Sequence, residues 1–228
     1  MQSSPPKAEP AMASSSQSTT RDPLTLLKYI ESEISSLYTS ASAKPTDETP
    51  PHLARSKYLD IHTAIHDFDL ATKKRDSAIS GEYLYHWLGS QMRDYCTSMR
   101  GYIFRDQHDD NDASSSRNLL TAYLSCYRKF GRLAILVANL MQCWERHWLR
   151  RAKDEKKISV GSIEELHKLV WRQEVLESIA RDSVSKKVLE ELHTAMEVLE
   201  ETRYGTREGD LRIVKDVVQS LSCLYNRE

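Results

Sequence analysis

The sequence predicts an all-α protein, a bundle of about seven helices with one long central helix. Two observations favour this fold class. Only 7 glycines and 7 prolines occur in 228 residues, and so few turn formers are typical of long helices rather than of many short strands. Apolar residues recur at helical spacing along most of the chain, whereas the alternation expected of strands does not appear.

The overall composition is that of an ordinary globular domain. Hydrophobic residues make up 39% and charged residues 29% of the chain, and the formal net charge is -1. So little net charge gives no global basic field that would draw the protein to nucleic acid or to an anionic membrane. No apolar run approaches the roughly 20 residues that span a bilayer. We therefore expect neither nucleic acid nor a membrane among its partners.

The four cysteines, Cys96, Cys126, Cys143 and Cys223, are far apart in the sequence and form no CxxC pair. No secretory signal precedes them, because the N-terminus lacks the apolar segment that such a signal needs. These features favour buried free thiols in a reducing compartment over a disulfide framework. We therefore expect the protein in the cytoplasm, the nucleus or both.

The N-terminal segment differs in composition from the rest of the chain. Residues 1–22 are rich in serine, proline and alanine and have no periodic apolar face, which predicts a disordered tail ahead of a single domain over residues 23–228. Asp22 and Pro23 fit the N-cap and the first position of a helix that runs to about Ser40. The apolar face of this helix consists of Leu24, Leu27, Ile30, Ile34 and Leu37.

The next two helices are separated from the first by a proline-rich segment, residues 44–51, through which a helix does not continue. A second helix is predicted from about Leu53 to Lys74 and a third from about Ser80 to Phe104. The second presents Tyr58, Ile61, Ile65 and Phe68 as its apolar stripe.

The fourth predicted helix, roughly Arg117 to Arg151, is the longest. Its middle reads LAILVANLMQCW and is apolar nearly all round, which is typical of a buried helix. Gly131 lies inside it and predicts a bend or a break.

Three shorter helices complete the set. Ser162 and Glu165 have the spacing of a capping box, and Asp210 is the predicted N-cap of the last helix. The three helices are predicted from about Gly161 to Ile179, Ser183 to Thr202 and Asp210 to Tyr225.

The sequence lacks the GxGxxG, GxxxxGK[ST], GxSxG and HExxH motifs, which accompany phosphate binding, acyl transfer and zinc-dependent hydrolysis. His62 and His66 have the helical spacing of two zinc ligands, but a zinc site needs further ligands, and only Asp69 or distant residues would provide them. Ordinary surface histidines are therefore favoured. Cys143 lies in the apolar helix, where a thiol is usually an inert small hydrophobe. We expect a protein that is not an enzyme and that holds no metal or cofactor.

The run from Trp144 to Lys157 changes abruptly from apolar to basic. It interleaves aromatic residues with cations, as single-stranded nucleic-acid sites also do. The run is short, however, and is predicted at the C-terminus of a helix, where cations complement the helix dipole. The end of a helix is therefore favoured over a nucleic-acid patch.

Five segments of the chain resemble one family in family order over about residues 22–228. They are ERHWLRRAKDEKK (145–157), KLVWRQE (168–174), VKDVVQS (214–220), ARSKYLDI (54–61) and EYLY (82–85). They are similar to motifs in the N-terminal region of cullins, the scaffolds of multisubunit ubiquitin ligases. The resemblance is greatest to the cullins that bind F-box-type adaptors.

The resemblance implies a cullin repeat, a helical bundle that stacks with further repeats into a stalk. It also implies a surface that docks an adaptor of the BTB/POZ fold, which brings the substrate receptor. Matching positions place Tyr58, Leu59, His62 and His66 of the second helix and Cys143, Arg146 and His147 of the long helix on that surface. Aromatic and arginine anchors such as Tyr58 and Arg146 carry much of the energy at such surfaces, whereas the residues alone would favour Tyr58 as part of the core.

The chain departs from the family in two ways. His62 and His66 stand where adaptor-binding cullins usually present aromatic residues, which puts the choice of adaptor and the affinity in question because histidine is polar and titrates near neutral pH. The chain also stops after about one repeat, without the C-terminal domain that holds the RING subunit, so no RING subunit is expected.

Three functions therefore stand as hypotheses. The chain is a stand-alone adaptor-binding module that acts as a decoy or regulator of ubiquitin-ligase assembly. Alternatively, it is the N-terminal fragment of a full cullin scaffold in ubiquitin-dependent protein degradation. A further alternative is a repurposed helical interaction module that has lost adaptor binding and uses His62 and His66 for metal.

Overall fold

The computed structural model describes residues 22–43, 53–74, 81–103, 113–155, 161–177, 188–201 and 208–225. Within these ranges the chain is helical and contains no strand, which confirms the predicted all-α fold class. The helices are α1 (Pro23–Ser42), α2 (Arg55–Lys74), α3 (Gly81–Ile103), α4 (Ala113–Trp144), α5 (Arg150–Asp154), α6 (Ile163–Trp171), α7 (Val188–Glu201) and α8 (Glu208–Tyr225). The disordered tail predicted for residues 1–22 lies outside the described residues, except for Asp22.

Two π-helical segments continue the preceding α-helices without a break. The first, π1 (Glu145–Leu149), connects α4 to α5, and the second, π2 (Arg172–Leu176), extends α6. The stretch from Ala113 to Asp154 is therefore one long helical element, as predicted. It packs against α1, α2, α3, α6, α7 and α8, which confirms its central position.

Two predicted helix starts are confirmed by their side-chain contacts. The carboxylate of Asp22 accepts a hydrogen bond from the backbone N–H of Thr25 at 3.3 Å, and Pro23 follows as the first helical residue. Ser162 and Glu165 form the capping box, in which each side chain accepts from the backbone N–H of the other. Both devices satisfy backbone donors that the first turn of a helix leaves unpaired.

The prediction that Asp210 is the N-cap of the last helix is wrong. Helix α8 begins at Glu208, so Asp210 lies inside its first turn. The side chain is 8% exposed and forms a two-point ion pair with Arg117 of α4, with N–O distances of 2.6 Å and 2.7 Å. A cap residue and an ion-pair residue look alike in sequence, because both are carboxylates near a helix start, and only the position of Arg117 separates the two.

Gly131 does not break the long helix, because α4 runs through it as continuous α-helix. The expectation of a break is therefore wrong. A single glycine in a helix interior costs only about 1 kcal/mol relative to alanine, which the burial around it offsets. The side chains of Phe130 and Leu133 on either side are buried.

The core is built around aromatic residues of α3, α4 and α6. The Phe130 ring lies 5.0 Å from the ring of Trp171 and 5.5 Å from that of Tyr95, in stacked arrangements. Trp144 and Trp171 are the largest fully buried side chains. No helix of the described residues is long and apolar enough to cross a membrane.

Candidate functional site

Helix α2 carries four of the predicted adaptor-binding residues. Its inner face buries Ile61, Ala64 and Ile65 in the core, and this burial fixes which residues face outward. Leu59 is 53% exposed. Tyr58 is half-buried at the edge of the core, and its ring stacks on that of His62 with centroids 6.2 Å apart. Tyr58 is therefore neither a core residue nor a free one, but part of an aromatic pair at the surface.

The exposed face of α2 continues beyond His62. His66 is half-buried, and its Nδ1 lies 3.5 Å from a carboxylate oxygen of Asp67. Leu70 follows with 40% exposure. Steps of three and four residues place side chains on one helical face, so Leu59, His62, His66 and Leu70 form a continuous row, which we call the α2 row. Sequence reasoning missed Leu70, although its spacing from His66 was visible.

Helix α2 meets the end of the long helix through Asp69. The side chain of Asp69 is 3% exposed, and one of its oxygens, Oδ2, has two partners. Lys73 Nζ lies 2.6 Å from it and His147 Nδ1 lies 2.9 Å from it. A buried carboxylate is tolerated only when it is paired and hydrogen-bonded. The two contacts meet that need and tie π1 to α2.

The other predicted residues lie in or next to π1. Arg146 and His147 are exposed, whereas Leu149 is buried. The backbone N–H of Arg150 donates to the carbonyl of Glu145, five residues back. This wider turn is typical of π-bulges, which occur often at functional sites. The sequence predicted an ordinary α-helix here, since no residue type marks a π turn.

Trp148 packs the inner side of π1 against the core. Its ring stacks on that of Trp144 at a centroid distance of 4.8 Å and an angle of 13°. Trp144 is fully buried and Trp148 is partly buried against the core. A Cβ added to Gly81, the first residue of α3, would overlap the indole of Trp148. The absence of a side chain at Gly81 therefore makes room for Trp148.

Cys143 lies one turn before His147, is half-buried, and places its Sγ 3.7 Å from His147 Nδ1. The seven predicted residues thus fall into two groups, Tyr58, Leu59, His62 and His66 on α2 and Cys143, Arg146 and His147 on the long helix. The Asp69–His147 contact joins the elements that carry them. We call the two groups together with Leu70 the α2–π1 surface.

Among the described residues, no group of three or more histidines, cysteines or acidic residues is arranged to hold a metal ion. Two other thiols lie in the core, where burial raises the pKa of Cys96 and raises that of Cys126 to about 12. A thiol with a raised pKa is a poor nucleophile.

No family model matches this chain, and no curated protein matches it either.

Proposed function

We propose that this protein is a cullin-type N-terminal repeat that binds an adaptor of the BTB/POZ fold through the α2–π1 surface. In this role it is a non-catalytic component of ubiquitin-dependent protein degradation in the cytoplasm or nucleus. The observation that carries the proposal is the contact between Asp69 of α2 and His147 of π1, 2.9 Å apart. This contact spans 78 positions of sequence and joins the two helical elements that carry the residues implied by the resemblance.

The side chains on this surface suit a protein partner. Leu59 and Leu70 are large apolar residues that are 53% and 40% exposed on the same helical face. Exposed apolar residues gathered on one face mark interaction sites more often than isolated ones do. Arg146 adds an exposed guanidinium, and arginine and tyrosine are enriched among the residues that dominate binding energies.

The two histidines of the α2 row distinguish this surface from a purely aromatic one. His62 keeps a planar ring, which stacks on Tyr58, and adds ring nitrogens that donate or accept hydrogen bonds. His66 faces the carboxylate of Asp67. An adaptor that fits this row presents polar groups opposite the histidines and apolar groups opposite the leucines.

The direct test is a binding titration of the purified chain against a panel of BTB/POZ-fold adaptors, by calorimetry or biolayer interferometry. The informative variant is Leu59→Glu, which places a charge at the more exposed of the two leucines of the α2 row. The matched control is Leu211→Glu on α8, because Leu211 is a leucine of similar exposure, 48% against 53%, on another helix.

We expect Leu59→Glu to weaken binding of the preferred adaptor at least about tenfold, which corresponds to about 1.4 kcal/mol. Leu211→Glu should bind as the unmodified chain does. Failure of the unmodified chain to bind any adaptor of the panel, or equal effects of the two substitutions, would contradict the proposal.

A further inference from the structure

The tautomer of the neutral His147 ring is constrained by its buried neighbour. An ionised carboxylate only accepts hydrogen bonds, and Asp69 forms an ion pair with Lys73 at 2.6 Å. The same oxygen lies 2.9 Å from His147 Nδ1. A hydrogen bond at this distance therefore requires that Nδ1 carry the proton and donate it to Asp69.

This constraint also decides whether the other ring nitrogen, Nε2, donates or accepts a hydrogen bond. A neutral imidazole has one protonated nitrogen and one nitrogen with a free lone pair, and the partner of the first fixes the role of the second. With Nδ1–H bonded to Asp69, Nε2 is the acceptor. The His147 side chain is 46% exposed, while that of Asp69 is 3% exposed, so the ring points its Nδ1 edge inward and its Nε2 edge toward solvent.

We infer that His147 Nε2 is a fixed hydrogen-bond acceptor that receives an N–H or O–H group of the adaptor, and that Asp69 is the positioning residue that sets this tautomer. The inference rests on the proposed function and adds the chemistry of one contact to it. Arg146, the preceding residue, is exposed and offers only donors. The π1 segment thus presents a donor and an acceptor on neighbouring residues.

Other groups around the ring do not change this assignment. Lys73 approaches Asp69 and is a donor only. The Cys143 thiol lies 3.7 Å from Nδ1, and a thiol is a weak donor and a weak acceptor. Neither competes with the carboxylate for the proton on Nδ1.

Replacement of His147 by asparagine tests the roles of the two ring nitrogens separately. The side-chain amide of asparagine occupies the place of Nδ1–H and keeps a donor for Asp69, but nothing replaces Nε2. His147→Asn should therefore keep the urea midpoint of the unmodified chain and weaken adaptor binding about tenfold. The matched control is His193→Asn on α7, an exposed histidine outside the α2–π1 surface, which should leave both quantities unchanged.

Nitrogen-15 NMR of the free protein, with the ring titrated to its neutral form, reports the tautomer without a partner. We expect the Nδ1-protonated form of His147 in the unmodified chain and a mixture of both tautomers in Asp69→Asn, whose amide no longer requires a donor. An Nε2-protonated ring in the unmodified chain, or unchanged adaptor binding by His147→Asn, would overturn the inference. If Asp69→Asn does not fold, His147→Asn and the NMR of the unmodified chain still decide it. A chain that binds no adaptor overturns the proposed function and with it the adaptor contact of Nε2, whereas the NMR pattern decides independently whether Asp69 sets the tautomer.

Discussion

Tyr38 of α1 and His167 of α6 are joined by a buried hydrogen bond of 2.8 Å between Tyr38 Oη and His167 Nε2. The other ring nitrogen, Nδ1, donates to the carbonyl of Ile163 at 2.7 Å. The ring is thus neutral, with Nε2 as acceptor of the tyrosine hydroxyl. Protonation would place a charged imidazolium in this buried site, and burial accordingly lowers the pKa of His167 from 6.5 to about 4.

The first prediction is a loss of stability in mild acid. The folded state binds a proton at His167 less readily than the unfolded state does, so unfolding takes up a proton below pH 6.5. The contribution of neutral His167 is complete above pH 6.5 and is lost as the pH falls toward 4. We expect the unmodified chain to lose about 3 kcal/mol more than His167→Gln over this interval, measured by urea unfolding at a series of pH values.

Carboxylates titrate in the same interval, and they affect the unmodified chain and His167→Gln alike. Only the difference between the two curves belongs to His167. His193→Gln, in which an exposed histidine is replaced, should reproduce the slope of the unmodified chain. Parallel curves for the unmodified chain and His167→Gln would show that His167 is not the group responsible.

The second prediction concerns the close approach of Gly81 to Trp148. An alanine Cβ at Gly81 overlaps the indole, and Trp148 has little room to move because it stacks on buried Trp144. We expect Gly81→Ala to lower the free energy of unfolding by about 1–3 kcal/mol, as overpacking usually does. Tryptophan fluorescence should change in the native state as well.

Gly101, in the same helix, is the matched control. A Cβ there meets no neighbouring atom within 4 Å. Gly101→Ala should therefore raise the free energy of unfolding by about 0.5–1 kcal/mol through helix propensity. If both glycine substitutions shift stability in the same direction, the contact with Trp148 is not what decides the effect at Gly81.

The third prediction tests the capping box of α6. Ser162→Ala removes the hydroxyl that accepts from the backbone N–H of Glu165 at 3.1 Å. Loss of an N-cap of this kind costs about 1 kcal/mol, and thermal unfolding followed by circular dichroism measures it. Ser36→Ala, at an exposed position inside α1, should stay within about 0.5 kcal/mol of the unmodified chain. A cap variant as stable as this control would argue against the capping box.

The fourth prediction concerns the thiols. Cys223 is exposed, Cys143 is half-buried, and Cys96 and Cys126 are buried. Burial raises the pKa of both core thiols, and the thiolate is the reactive form. An aromatic disulfide reagent should therefore modify Cys223 first and leave Cys96 and Cys126 intact until the protein is denatured. Mass spectrometry of the labelled peptides identifies the sites, and rapid native labelling of Cys126 would contradict the packing around it.

The fifth prediction concerns competition. If the α2–π1 surface binds the same adaptor face that a full-length cullin uses, the isolated chain should displace the cullin as its concentration rises, by mass action. The measurement is recovery of the cullin on immobilised adaptor. Leu59→Glu should need at least about tenfold more protein for the same displacement. Simultaneous binding of both proteins to one adaptor would show that they use different faces.

Much of the fold could be predicted from the sequence because helical periodicity is a local signal. The spacing of Leu27, Ile30 and Ile34 predicted α1, and all three side chains are buried. The cap residues Asp22 and Ser162 were readable for the same reason, since their partners lie within three residues. The start of α8 could not be predicted in the same way, because the role of Asp210 depends on Arg117, which is 93 residues away.

In the candidate surface, too, the features with local signals could be predicted and those that depend on distant contacts could not. The exposed position of Leu59 follows from the periodicity of α2, and the resemblance indicated Arg146 and His147. The π turn and the burial of Asp69 could not be predicted, because both depend on packing between α2, α3 and the long helix. Asp69 follows Phe68 in sequence and reads as a solvent-facing carboxylate, yet its side chain is 3% exposed.

The π turn at Glu145–Leu149 also makes the spacing of this segment unusually strict. A π-bulge amounts to one residue inserted into an α-helix, and each residue of an α-helix turns the following chain by about 100°. Deletion of any one residue between Trp144 and Arg150 would restore an α-helical turn and leave α4 and α5 in register, but the residues of π1 on one side of the deletion would move around the axis by up to that angle. Trp148 would then leave the indole stack, or His147 would leave Asp69. A change of length by one residue would here change which side chains π1 presents outward.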